Sequence, residues 1–316
     1  MFATLFPPLV RRKRAIAVAA FACAVTVWSG ASAAGLTVLM ADESAPCAEF
    51  VQQLRAMQEA GSRFDLIHLA AGQPAPEPSF PGDDVTMAVG VAAARSAIER
   101  PGQDPLVLAM LSRLDYESLR ISPAMQHPER QIGVLLRDPA MAYQLALIDA
   151  VMPRKRRLGV VATSESEPLV RELQSAAQGW DLQVEFAPDA KSLAAALRVL
   201  VPRSDALLVL PDMIGDDQAA TLAVLRAGAG AGLPVFGASD GLVRSGGLAA
   251  AVSTPAQLAQ QARTLGQKLA ASTGPRSVVV EAATPATVRV NTTVARGLGL
   301  RLPEERELTE RVTAIR

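Results

Sequence analysis

The chain has 316 residues, half of them hydrophobic, 4% aromatic and 20% charged, and its 31 Lys and Arg balance 31 Asp and Glu. That apolar share excludes a disordered chain, and the length suits one large domain or two of ordinary size. The neutral balance argues against nucleic-acid binding, which needs clustered cationic charge to displace counterions from phosphates, and two cysteines cannot build a disulfide scaffold or a thiolate zinc site.

The first segment has the pattern of a cleavable secretory signal. Arg11, Arg12, Lys13 and Arg14 form a positive start, and residues 15–27 are an apolar run of 13. A helix needs about 20 such residues to span a bilayer. Ala31-Ser32-Ala33 is a small-x-small cleavage site. The competing readings are a short membrane anchor, a buried helix, and a lipoprotein acylated at Cys23. The preceding Ala20-Phe21-Ala22 is a poor lipobox, with a bulky Phe and no Leu. Removing residues 1–33 leaves 27 positive and 31 negative side chains, a net of −4. The expected product is a mildly acidic periplasmic protein whose single remaining thiol, Cys47, has acidic neighbours and is read as an unreactive residue in a first helical turn.

Beyond the signal, short apolar runs alternate with amphipathic stretches. Strands are predicted over 36–40, 64–69, 85–89, 105–111 and 131–136, and helices over 47–60 and 92–99. Residues 72–84, rich in Pro and Gly, read as a loop. The pattern then restarts with a helix over 140–152, a solvated basic run at 154–157 and a strand over 158–162. Helices over 168–178, 191–201, 217–228, 255–271 and 293–297 alternate with strands over 182–186, 206–210, 234–237, 248–252 and 277–281. Strands separated by helices of about a dozen residues build parallel sheets covered on both faces. Two such runs predict an α/β protein with two doubly wound parallel-sheet lobes.

In open parallel sheets ligands bind beyond the carboxyl ends of the strands. The residues there include Asp42 and Ser44, Gly90 and Val91, Thr163, Ser164 and Ser166, Asp212, and Asp240. They are rich in hydroxyls, carboxylates and glycines but form no catalytic set. No G-x-S-x-G elbow or Walker A is present. His68 reads as a core or rim histidine, His127 lies in a loop, and neither has metal-ligand spacing. Gly228, Gly230 and Gly232 follow a helix and read as its end. Asp212 and Asp240 each follow a strand, as a helix N-cap or as a carboxylate fixing an amino or hydroxyl group of a ligand. No enzyme activity, cofactor or metal is expected.

Several segments resemble one family in order and spacing: Leu158-Gly159-Val160-Val161, Ser164-Glu165-Ser166-Glu167, the run from Asp205 to Asp212, Pro234 to Asp240 with Gly246-Gly247-Leu248-Ala249, and above all the N-x-x-x-A-x-x-L-G-L-x-L-P block from Asn291 to Pro303. The family is the ABC-transporter substrate-binding proteins related to the tryptophan-binding protein TrpX. The resemblance implies a type I periplasmic binding fold, its lobes joined by a three-segment hinge near 135–138, 252–255 and 282–285. Lobe 1 would comprise 34–137 plus 253–283, and lobe 2 138–252 plus 284–316. It implies a monomer that captures a small-molecule ligand between the lobes for an ABC permease; the alternative is a stand-alone periplasmic sensor or adaptor serving another membrane receptor. Asp42, Ser44, Gly90, Val91, Thr163, Ser164, Ser166, Asp212 and Asp240 are the implied ligand-binding residues. Leu111-Ser112-Arg113-Leu114-Asp115 departs from the family's small hydroxyl turn, and Arg113 is placed to fill the cleft or meet an anion. Only eight aromatics remain after the signal, which favours a polar ligand over one needing an aromatic cage.

Overall fold

The computed structural model describes residues 35–59, 61–70, 85–285 and 287–314. The expected signal with Cys23 and the loop at 72–84 lie outside them. The first sheet is built from β1 (Leu36–Met40), β2 (Phe64–His68), β3 (Val85–Val89), β4 (Leu106–Leu111) and β5 (Ile132–Pro139), with helices α1 (Ala45–Ala56), α2 (Val91–Glu99), α3 (Arg113–Leu119) and α4 (Pro123–Gln126) between them. The second run comprises α5 (Met141–Val151), β6 (Arg157–Ala162), α6 (Glu167–Ala176), β7 (Asp181–Phe186), α7 (Ala190–Leu200), β8 (Ala206–Leu208), α8 (Met213–Asp216), α9 (Gln218–Ala231), β9 (Val235–Gly237), α10 (Asp240–Arg244) and β10 (Ala249–Val252). The chain ends with α11 (Pro255–Ala270), β11 (Val278–Ala283), β12 (Thr287–Val290), α12 (Thr292–Gly297) and α13 (Glu305–Thr313).

The strand orders are β11-β5-β4-β3-β1-β2 and β12-β10-β9-β8-β6-β7. Each sheet therefore repeats the doubly wound order 2-1-3-4-5, with a switch point between its first and third strands. The chain passes between the sheets three times: from β5 to α5, from β10 to α11, and from β11 to β12. All three passages leave the carboxyl end of a strand, so the two sheets are joined at the ends where ligands bind in such folds.

Every residue of β1, β3 and β4 is buried, which explains their continuous apolar sequence. On one face Phe50 and Leu54 of α1 pack with Leu258 and Leu265 of α11. On the other, Ala93, Ala94 and Ala97 of α2 meet Leu106 and Leu108. The second sheet is covered by Leu145, Ile148, Leu169, Leu173, Leu308 and Val312 on one side and by Leu193, Leu197, Val224 and Leu225 on the other. Each fully buried Leu or Phe contributes about 1.5–3 kcal/mol of transfer free energy. Among the described residues no helix is long and apolar enough to cross a membrane.

Four features depart from the sequence expectation. First, α3 and α4 fill the stretch between β4 and β5. The signal was present: Ser112 and Asp115 form a capping box, each side chain accepting from the other's backbone N–H. Second, β5 runs on to Pro139 because β11 pairs with it as far as Ala283↔Pro139. Third, α13 closes the second core with Leu308 and Val312, an amphipathic pattern with Arg306–Glu310 and Arg311–Glu307 pairs on its outer face. Fourth, the second sheet is not wholly parallel. β12 pairs antiparallel to β10, Val252 facing Thr287. The reason is topological: β12 enters its sheet from the joined end, where β10 leaves it.

Candidate functional site

At the first sheet's switch point, Asp42 follows β1 and accepts hydrogen bonds from the Ser44 N–H at 2.9 Å and the Ser44 hydroxyl at 3.0 Å. Both residues are exposed. Gly90 follows β3 with φ +83 and starts α2 at Val91, a left-handed conformation that side chains disfavour. A Cβ on Gly90 would lie 3.8 Å from the Asp42 Cβ, so the two strand-end loops are in contact. Cys47 is buried in the first turn of α1. Burial pushes its thiol up, opposed by the Ser44 hydrogen bond and the positive charge of Arg137. His68 ends β2 at the rim, its Nδ1 3.3 Å from Glu43.

The second sheet's switch point is built differently. Thr163 begins a short 3-10 turn after β6. Its N–H donates to the Ser166 hydroxyl at 3.1 Å and its own hydroxyl lies 2.8 Å from the same oxygen. Ser166 in turn donates to the Asp212 carboxylate. The other Asp212 oxygen accepts from Ile214 N–H at 2.9 Å and Gly215 N–H at 3.2 Å. Asp212 is 2% exposed and Ser166 fully buried, and burial raises the Asp212 carboxyl. These groups tie β6 to β8 and hold the rim in place. Asp212 is thus an N-cap, and its neighbour Gly215 is required because a Cβ there would meet the Leu210 carbonyl at 2.2 Å. The exposed faces of this rim are Ser164 and Met213. Asp240 is the first residue of α10, behind the Ser239 cap. It pairs with Arg244 and lies 3.8 Å from Arg289.

Between the two rims runs a seam crossed by charged groups. Arg113 opens α3, and its Nε and Nη2 reach the Glu172 Oε2 of α6 at 3.1 and 3.0 Å. The Glu172 Oε1 accepts from the Met141 N–H at the start of α5. The cation that the sequence offered to an anionic ligand is therefore engaged by the second half of the chain. Asp138, near the end of β5, accepts from the Arg113 N–H at 3.4 Å. Burial pushes its carboxyl up to about 6, with Arg137 opposing. Arg137 itself lies 3.7 Å from Asp138 and 3.8 Å from Asp216 of α8. Sequence reasoning missed Arg137, Asp138 and Glu172. The Arg-Asp pair within a segment expected to cross between lobes was the available signal.

The block from Asn291 to Pro303, the most specific sequence match, does structural work. The Asn291 carboxamide caps α12, accepting from Thr293 and Val294, and donates to the Val243 carbonyl. Gly299, at φ +67, ends the helix in a Schellman turn: Leu300 N–H bonds the Ala295 carbonyl at 2.9 Å and Gly299 N–H that of Arg296 at 3.1 Å. A hollow of ≈ 680 Å³ beside this block is lined by Val290, Leu300, Leu302 and Arg306. It lies at the end of β12 away from the crossovers. Among the described residues no group of three His, Cys, Asp or Glu is placed to hold a metal ion.

Residues 81–310 match the model of the family described as ABC transporter substrate binding protein. The chain belongs to that family. The chain's fold agrees with that of solved structures. It superposes on a substrate-binding protein with adhesive properties from Clostridium difficile, in its ligand-free, open form, with TM-score 0.64 at 15% identity, covering 86% of this chain and 96% of that one. A conserved domain protein from Vibrio cholerae gives TM-score 0.56 at 21% identity, over 88% and 98% of the two chains. A Streptococcus pneumoniae protein in complex with L-Trp gives 0.54 at 16% identity, over 89% and 98%. No curated protein sequence matches the chain.

Proposed function

We propose that this substrate-binding protein captures a small polar solute in the seam between its two sheets and delivers it, in the periplasm, to the permease of an ABC importer. One observation carries the reading: both doubly wound sheets turn their switch points toward the end at which the three crossovers join them. Two half-sites on two bodies linked by three short passages make a site that closes by hinge motion. The bodies are 34–137 with 253–283 and 138–252 with 284–316. The solute meets the exposed groups of the rims: Asp42, Ser44, the Gly90–Val91 turn, Ser164 and Asp240. Thr163, Ser166 and Asp212 fix the second rim from beneath. Binding is non-covalent and needs no cofactor. A micromolar affinity corresponds to about −8 kcal/mol, within reach of a few hydrogen bonds in a desolvated cleft.

The test is a thermal-shift screen of the protein without residues 1–33 against amino acids, nucleosides, sugars and aromatic acids. A solute at 100 times its Kd adds about 2.7 kcal/mol of stability. Small-angle scattering with and without the hit reports closure. A screen in which nothing stabilises the protein sinks the reading. N-terminal sequencing of the protein recovered from a periplasmic extract tests export, with Ala34 the expected first residue.

A further inference from the structure

Arg137 is the unusual side chain of the seam. It stands on β5 one residue beyond Leu136, which pairs with Leu111 of β4. Strand alternation puts it on the same face as Leu135, the face covered by α1 and α11. From there its charge is felt at Cys47, beside Asp42 at the first switch point. Its Nη2 also lies 3.8 Å from Asp216, four residues past Asp212 at the second. The guanidinium thus stands beside the second half-site and within electrostatic reach of the first. Its side chain is 40% exposed, and its two carboxylate neighbours stand at 3.7 and 3.8 Å, too far for hydrogen bonds. Among the described residues it makes no hydrogen bond at all. The other seam cation contrasts with it: Arg113 holds Glu172 through two nitrogens.

An arginine fork with five donors unspent, in the middle of a ligand cleft, is matched by a planar anion with two oxygens. The anion must be small in charge. Asp138 and Asp216 flank the fork, and closing the seam over a dianion such as phosphate costs more desolvation than closing it over a monoanion. We propose that Arg137 is the specificity-determining anchor of the site and receives the carboxylate of a monocarboxylate solute. The inference rests on the solute-capture reading above. Binding exchanges two loose ion pairs for a two-pronged contact, and closure removes water from it. The flanking Asp138 and Asp216 then favour solutes with a donor or a positive group away from the carboxylate.

Matched pairs differing only at the carboxyl group provide the test: L-leucine and L-leucinamide, L-phenylalanine and L-phenylalaninamide, 4-hydroxybenzoate and 4-hydroxybenzamide, and pyruvate as a small acid, with inorganic phosphate and ribose alongside. Calorimetric titration and thermal shift are run on the wild type, Arg137→Gln and Arg137→Lys. The expected result is that one or more acids bind, their amides bind at least tenfold more weakly, and phosphate does not bind. Arg137→Gln then loses at least tenfold in affinity for the acid and none for the amide. Arg137→Lys recovers part of the loss, since it keeps the charge but not the fork. Binding only by ribose or the amides overturns the anchor and leaves solute capture standing, as does an acid that binds Arg137→Gln as tightly as the wild type. No binding by any compound overturns both.

Discussion

The clearest thermodynamic consequence of the seam concerns Asp138. Its carboxyl is pushed from the usual 3.8 up to about 6, chiefly by burial. The folded protein therefore holds this proton more tightly than the unfolded chain does. The stabilisation is present in full below pH 3.8 and is lost as pH rises to about 6, where the buried group ionises. Roughly two pH units at about 1.4 kcal/mol each amount to about 3 kcal/mol. Asp138→Asn keeps an acceptor for the Arg113 amide and removes the charge. The variant should match the wild type at pH 4 and exceed it by about 3 kcal/mol at pH 7.5, the attraction to Arg137 being already contained in the shift. Urea unfolding of both proteins at half-unit steps from pH 4 to 7.5 measures the difference directly. Asp212, also raised by burial, contributes in the same sense to both proteins and cancels. Parallel stability curves for the two proteins, or a less stable Asp138→Asn at pH 7.5, would refute the argument.

Other variants probe the remaining contacts. Ser166→Ala strips one oxygen of the buried Asp212 of its donor and leaves the Thr163 N–H without its acceptor, so equilibrium unfolding should show a loss of about 1–3 kcal/mol. Arg113→Ala severs the ion pair between α3 and α6, and the ligand-free protein should scatter X-rays with a larger radius of gyration; an unchanged radius would show that the pair does not hold the sheets together. Asn291→Ala removes a cap and a bond to the Val243 carbonyl; denaturant titration should show about 0.5–2 kcal/mol lost, with solute affinity unaltered because the residue lies away from the seam.

What the sequence determined by itself was the class of fold. Continuous apolar runs of five or six residues, such as Leu36–Met40 and Leu106–Leu111, are buried on both faces, and a strand buried on both faces has one pattern available to it. The alternation of those runs with helices then leaves few arrangements other than two doubly wound sheets. Strand-end positions follow from the same pattern, so Asp42, Gly90, Thr163 and Asp212 were legible as rim residues. Their tasks were not. Asp212 and Ser166 are buried against each other in the fold, while Arg137, whose one sequence signal was its pairing with Asp138 in a segment expected to cross between lobes, is left partly exposed. β12 was hidden for a related reason: four residues are too few for a period, and their antiparallel direction depends on where the chain re-enters the sheet. Hydrophobic period is a local property that each segment carries with it. Which charges meet, which are covered and which remain free depends on contacts such as Arg113 with Glu172, 59 residues apart, and only the tertiary structure brings those together.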